Sequence, residues 1–136
     1  MKKKLSSLLY RCKVVEEDFY GTKYVHTLFK FKGIPHIYLW HCARCKGGYG
    51  GMIPTLDFHY KGKKLTGQFC ENHTVLYEGK ASLVKIKQWV DDNEKDLNKW
   101  IKDVLKHIEK WKKRVDKGLV PVRMQTVSPF FISICP

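Results

Sequence analysis

The sequence predicts an α+β domain: a small zinc-clipped antiparallel β-sheet, then a long amphipathic C-terminal helix, then a short apolar tail strand. Three observations point there. Strand-period alternation dominates residues 8–69, a helical period takes over from residue 82, and Cys/His pairs punctuate the β-rich part at metal-ligand spacing. The chain has 136 residues, 43% hydrophobic and 13% aromatic, which supplies one packed core and excludes wholesale disorder. It divides into a zinc-binding β-rich region (1–80), a basic amphipathic helix (81–118) and an apolar tail packed on the same domain (119–136).

Leu8 to Val15 reads as the first strand, ended by the acidic turn Glu16-Glu17-Asp18. Thr22 to Lys32 alternates well: Tyr24, His26, Leu28, Lys30 and Lys32 face one way, Val25, Thr27, Phe29 and Phe31 the other. Gly33-Ile34-Pro35 breaks that run, and His36 to Cys42 is a third strand rich in aromatics. Residues 46–54 hold four glycines and Pro54, which predicts a loop; the Lys-Ser/Thr ending of a phosphate-binding P-loop is missing. Residues 55–60 and 64–69 form a hairpin across Lys61-Gly62-Lys63 that delivers Cys70.

From Ser82 to Lys117, Leu83, Ile86, Val90, Leu97, Ile101, Val104, Ile108, Trp111 and Val115 fall in one arc at 100° per residue. Trp89, Trp100 and Trp111 recur every 11 residues and belong to that apolar side. Asp91 with Glu94 has the form of a capping box, so the stretch is either one helix or two, over 82–90 and 92–117. Gly118 suits the position just past the end. The tail from Leu119 is apolar through Val120, Val122, Met124, Val127, Phe130, Phe131, Ile132 and Ile134, which predicts a returning strand or a covering segment.

Charge narrows the partner. Lys+Arg is 26 against 13 Asp+Glu, a net +13, which suits a polyanion such as DNA or RNA. Lys95, Lys99, Lys102, Lys106, Lys110, Lys113 and Lys117 step by three or four along one helix face, a row of about 33 Å at ~1.5 Å per residue. Like charges at that spacing repel, so a phosphate-contacting face competes with a merely solvated one. Lys61, Lys63 and Lys64 add cations at the hairpin, and Tyr10, Tyr20, Tyr49, Phe58 and Tyr60 stand among basic residues as candidates for stacking on bases. No apolar run approaches the ~18 residues of a membrane span, and Leu5 to Tyr10 is too short for a signal-peptide core.

The missing signal-peptide core predicts a cytoplasmic or nuclear, not secreted, protein, or one that acts inside a host cell, and in such a reducing compartment the odd count of Cys12, Cys42, Cys45, Cys70 and Cys135 argues against a disulfide framework. Cys42-Ala43-Arg44-Cys45 and Cys70-Glu71-Asn72-His73 give C-x2-C-x24-C-x2-H. Two residues between ligands let one turn aim both at a single ion, so Cys42, Cys45, Cys70 and His73 form the expected tetrahedral Zn²⁺ shell, structural because no position stays open. His41 is the alternative to His73, and Cys12, in an apolar strand pattern, is expected as a core thiol.

Two resemblances extend this. The order C-x2-C, Asp57-x-His59, hairpin, C-x2-H over residues 41–75 resembles the treble-clef HNH nucleases of the endonuclease VII type. That resemblance implies His59 as general base, Asp57 as ligand to a divalent ion such as Mg²⁺ at the scissile phosphate, and Asn72 or Thr74 near the family's asparagine. The family's adjacent Asp-His is spaced by one residue here, and Thr74 replaces the asparagine, which weakens the implied catalysis more than the implied fold. Tyr24, Phe29 and Phe31 followed by Tyr38-Leu39-Trp40-His41-Cys42 resemble the aromatic strands of FLYWCH/WRKY-type DNA-binding fingers, which implies nucleic-acid binding without catalysis. The expected function is a zinc-stabilised, basic nucleic-acid-binding protein, accessory or regulatory, of viral or mobile-element type. The alternatives are an HNH-like metal-dependent nuclease using His59, and an interaction or inhibitor module that meets an acidic protein surface. A protein partner or homodimer would engage the helix or the tail.

Overall fold

In the computed structural model the described residues are 4–46, 50–69, 79–119 and 125–126. A 3-10 turn at Leu5–Leu8 leads into five antiparallel strands whose spatial order is their chain order: β1 (Leu9–Phe19), β2 (Thr22–Phe31), β3 (Ile34–Arg44), β4 (Gly50–Tyr60) and β5 (Lys63–Gln68). Two of the hairpin turns explain why such neighbours pair. Tyr20-Gly21 and Lys61-Gly62 each put two consecutive residues at positive φ (50° and 81°, 49° and 78°), the type I′ geometry whose twist matches that of the flanking strands.

Helix α1 (Leu83–Asp92) and helix α2 (Glu94–Asp116) follow, separated at Asn93, whose φ of −115° and ψ of 15° leave the helical region. The two-helix alternative is the observed one, but not through an Asp91 capping box. Asp91 lies inside α1 and accepts a hydrogen bond from the Ser6 hydroxyl at 2.6 Å, tying the start of the chain to the helix. The end of α2 is closed as the sequence predicts. Gly118 sits at φ 72°, the Gly118 amide donates to Val115 and the Leu119 amide to Arg114, the double bond of a Schellman motif.

Both helices cover one face of the sheet. Val25, Thr27, Phe29 and Phe31 of β2, Ile37, Leu39 and His41 of β3, and Met52, Leu56 and Phe58 of β4 alternate onto that face and are buried. Leu97, Trp100, Ile101, Val104, Ile108, Trp111 and Val115 meet them from α2, with Trp100 edge-on to Phe69 at 5.7 Å and Trp111 edge-on to Phe58 at 5.9 Å. All three spaced tryptophans are core.

Several expectations are corrected. The glycine-rich stretch is not all loop: β4 already begins at Gly50 and runs through Pro54. Proline fits because its carbonyl accepts from the Phe69 amide at 2.9 Å, just past the end of β5, so the amide it lacks would face the point where that ladder stops. Cys12 is exposed rather than core, because β1 bulges between Arg11 and Lys13. Phe58 is buried and therefore not a base-stacking candidate. Gln125–Thr126 forms a two-residue parallel pairing with β5; the rest of the tail beyond Leu119 lies outside the described residues, as does Tyr49.

Candidate functional site

No helix among the described residues packs on the second face of the sheet. The residues that alternate onto it read across the strands as rows. Tyr10, Lys30, Tyr38, Thr55 and Gln68 form one; Lys13, Leu28, Trp40 and Ile53 the next; Val15, His26, Cys42 and Gly51 the third; Glu17, Tyr24 and Arg44 a fourth; and beyond the first, Asp57 with Thr66 and His59 with Lys64 continue the face on β4 and β5. The bulge in β1 sets this arrangement. Before it, Tyr10 faces this side; after it the parity flips, so Lys13, Val15 and Glu17 do.

Aromatic rings and cations interleave on this face. The Lys30 ammonium stands 5.4 Å from the centre of the Tyr38 ring, and that of Lys13 stands 5.8 Å from the Trp40 ring. Lys13 on β1 reaches Trp40 on β3 across Leu28 on β2, which accounts for an apolar residue on an uncovered face being only 6% exposed. A depression of about 420 Å³, whose lining includes Tyr10, Lys30, Lys32 and Tyr38, lies at one end of the face.

The expected zinc site is corrected. Among the described residues, no group of three or more His, Cys, Asp or Glu side chains could hold a metal ion. Cys42 and Cys45 do not form a knuckle. β3 continues through Arg44, and the Cys45 amide still donates to Lys23 at 2.8 Å, so the chain between the two cysteines is extended. Three extended residues span about 10 Å, whereas zinc needs both sulfurs ~2.3 Å from one point. Cys42 Sγ instead lies 3.0 Å from His26 Nδ1. Cys70 and His73 lie outside the described residues, as do Asn72 and Thr74. With the knuckle goes the metal-clipped frame on which the zinc, treble-clef and zinc-finger assignments stood. His41, the alternative ligand, is fully buried on the helix-covered face, and burial pushes its imidazole below the ordinary value of 6.5.

The other expected residues separate into three groups. Asp57 and His59 share the open face of β4, with His59 Nε2 3.1 Å and the Lys64 ammonium 3.6 Å from Asp57 Oδ1. Lys61 donates to Asp116 at the end of α2, which also accepts from the Tyr60 hydroxyl at 3.0 Å; the Lys61–Asp116 hydrogen bond, more than any other contact, pushes the Lys61 ammonium up and the Asp116 carboxyl down. Lys63 is half-buried at the start of β5. All seven lysines of the helical row are exposed on α2 and at its end, and none forms an ion pair with a described residue.

Residue-type reasoning missed His26 and Glu17. Alternation already put His26 on the face of Tyr24 and Lys30, but its placement opposite Cys42 and diagonal to Glu17 follows from register. No family model matches the chain, and no curated protein or solved structure matches it. No helix among the described residues is long and apolar enough to cross a membrane.

Proposed function

We propose that this protein binds single-stranded nucleic acid on the open face of its sheet. One observation carries the reading: an antiparallel face, covered by no helix among the described residues, on which Tyr10, Tyr38 and Trp40 alternate with Lys13 and Lys30 across adjacent strands. Bases have π-faces whatever their identity, and unpaired bases are free to stack on flat rings, at ~1–3 kcal/mol each. Lys13, Lys30 and Arg44 would meet the phosphates between stacked bases, and Lys64 would extend the track over β5. A duplex hides its base faces, so a ring-lined sheet favours single strands. The lysine row on α2, on the far side of the helix layer, is a second, sequence-blind phosphate contact for flanking segments.

Titration of a fluorescent oligonucleotide, single-stranded against duplex, tests this. Single strands are expected to bind more tightly and to quench Trp40, with affinity falling steeply as salt rises. Equal affinity for duplex, or binding unaffected by Trp40→Ala, would defeat the reading.

A second reading, cleavage of the bound strand, is favoured by the 3.1 Å contact between His59 and Asp57 on the same face, a histidine oriented by a carboxylate as a general base requires. A labelled strand incubated with and without Mg²⁺ is expected to be cut by the native chain and not by His59→Ala; an intact strand in both arms removes it.

A further inference from the structure

Three side chains on the open face stand in line. Cys42 on β3 is directly opposite His26 on β2, and its Sγ lies 3.0 Å from His26 Nδ1. The other ring nitrogen, Nε2, lies 3.4 Å from a carboxylate oxygen of Glu17 on β1. Because the two ring nitrogens face different partners, the trio cannot close on one ion. It has the order of a nucleophile, a base and a group that orients the base. The Glu17 carboxylate faces Nε2, and its negative charge favours the tautomer with the proton on that nitrogen. That leaves the Nδ1 lone pair turned toward the thiol.

We propose that Cys42 is a reactive thiol site for small disulfides, with His26 as its base and Glu17 as a positioning residue. The thiol is exposed and borders a depression of about 360 Å³ lined by Trp40, Cys42, Gly51, Ile53, Thr55 and Gln68, which offers an apolar ring and two polar groups to the substituent on the reagent's sulfur. Partial burial, and then the Glu17 carboxylate, push the Cys42 thiol up, so the resting form is S–H donating to His26 rather than a standing thiolate. A thiolate of higher basicity is the stronger nucleophile once formed, and His26 forms it at the moment of attack. The Cys42 sulfur attacks one sulfur of R–S–S–R as its proton passes to His26 Nδ1. A new Sγ–S bond forms, the old S–S bond breaks, and the departing R–S⁻ takes the proton back from His26. One disulfide is exchanged for another, with no further oxidant. Acyl chemistry is less suited, because the strand amides around Cys42 lie in the β2–β3 and β3–β4 ladders, away from any oxyanion.

On the nucleic-acid reading, such an adduct would lie against Trp40 and compete with a stacked base. Labelling is therefore measured without nucleic acid, so the thiol chemistry stands or falls apart from that reading. The full-length protein is incubated with oxidised glutathione at neutral pH, quenched at intervals and mapped by mass spectrometry. Cys42 is expected to be modified about tenfold or more ahead of Cys12 and Cys45, as general-base assistance implies. His26→Asn should abolish that lead. Glu17→Gln, whose amide oxygen can also face Nε2, should keep most of it, and Glu17→Val should lose it with an unchanged circular dichroism spectrum. Modification of Cys42 no faster than Cys45, or an equal lead in native protein and His26→Asn, would overturn the proposal.

Discussion

The two faces of the sheet are built from the same strands and differ by one step along each. Phe29, Leu39 and Leu56 point to the helices and are 0% exposed; Lys30, Tyr38 and Thr55, each one residue away, point outward and stay partly open. On the covered face rings pack against rings, as Trp100 does against Phe69 and Trp111 against Phe58. On the open face the rings meet ammonium groups instead of other rings. The covered face holds most of the buried core, and the open face keeps polar groups and rings partly exposed, as the proposed ligand would need.

That contrast is broken most severely by Trp100→Ala, expected to cost about 3–5 kcal/mol in chemical denaturation through loss of contacts in a closed core. Trp40→Ala on the opposite face should reverse the pattern: oligonucleotide affinity falls by about 1–3 kcal/mol while stability scarcely moves. Equal destabilisation by the two would mean that the open face is core after all. Replacing Lys99, Lys102 and Lys106 by Gln should flatten the salt dependence by up to about two units of slope and leave Trp40 quenching intact, separating the helical row from the sheet.

Acid sharpens the comparison on the buried side. The imidazole of His41 titrates below 6.5 in the folded state. Above pH 6.5 both states are neutral and stability is full; as pH falls below it, the unfolded chain takes up a proton that the folded chain refuses, so stability drops. Denaturation midpoints at pH 7.5 and 5.5 should show this fall, and His41→Gln should lessen it if the core accepts the amide. The smallest effect is expected from Asp116, whose depressed carboxyl contributes stability above its unfolded value of 3.8 that fades as pH falls toward its folded value. Asp116→Asn should lower the melting temperature slightly at pH 7 and not at all in strong acid, where the native carboxyl is protonated too.

Much of the covered face was legible. Alternation in β2 sorted Phe29 and Phe31 from Tyr24 and Lys30, and the 100° arc of α2 named Leu97, Ile101, Val104, Ile108 and Val115, all of them buried. Gly118 marked the helix end because a left-handed residue was needed there. The candidate site was legible only in part. Tyr10 and Trp40 were noticed as residues, but neither could be placed on a common face. The Cys42/Cys45 spacing misled, because two intervening residues suit a turn and a strand equally well, and here pairing with Lys23 and His26 keeps the chain extended. Pro54 and the neighbouring glycines read as loop because local propensity is blind to a ladder that stops at the right residue.

Periodicity and charge are properties of neighbours along the chain, and from them came the α+β class, the helical stretch, its apolar stripe and its exposed lysine row. Which strand residues share an open face, and that His26 joins Cys42 to Glu17, depends on a single bulge at Cys12 and on the helices choosing one side of the sheet. A one-residue shift in register exchanges the two faces at no local cost, so only the packed whole decides between them.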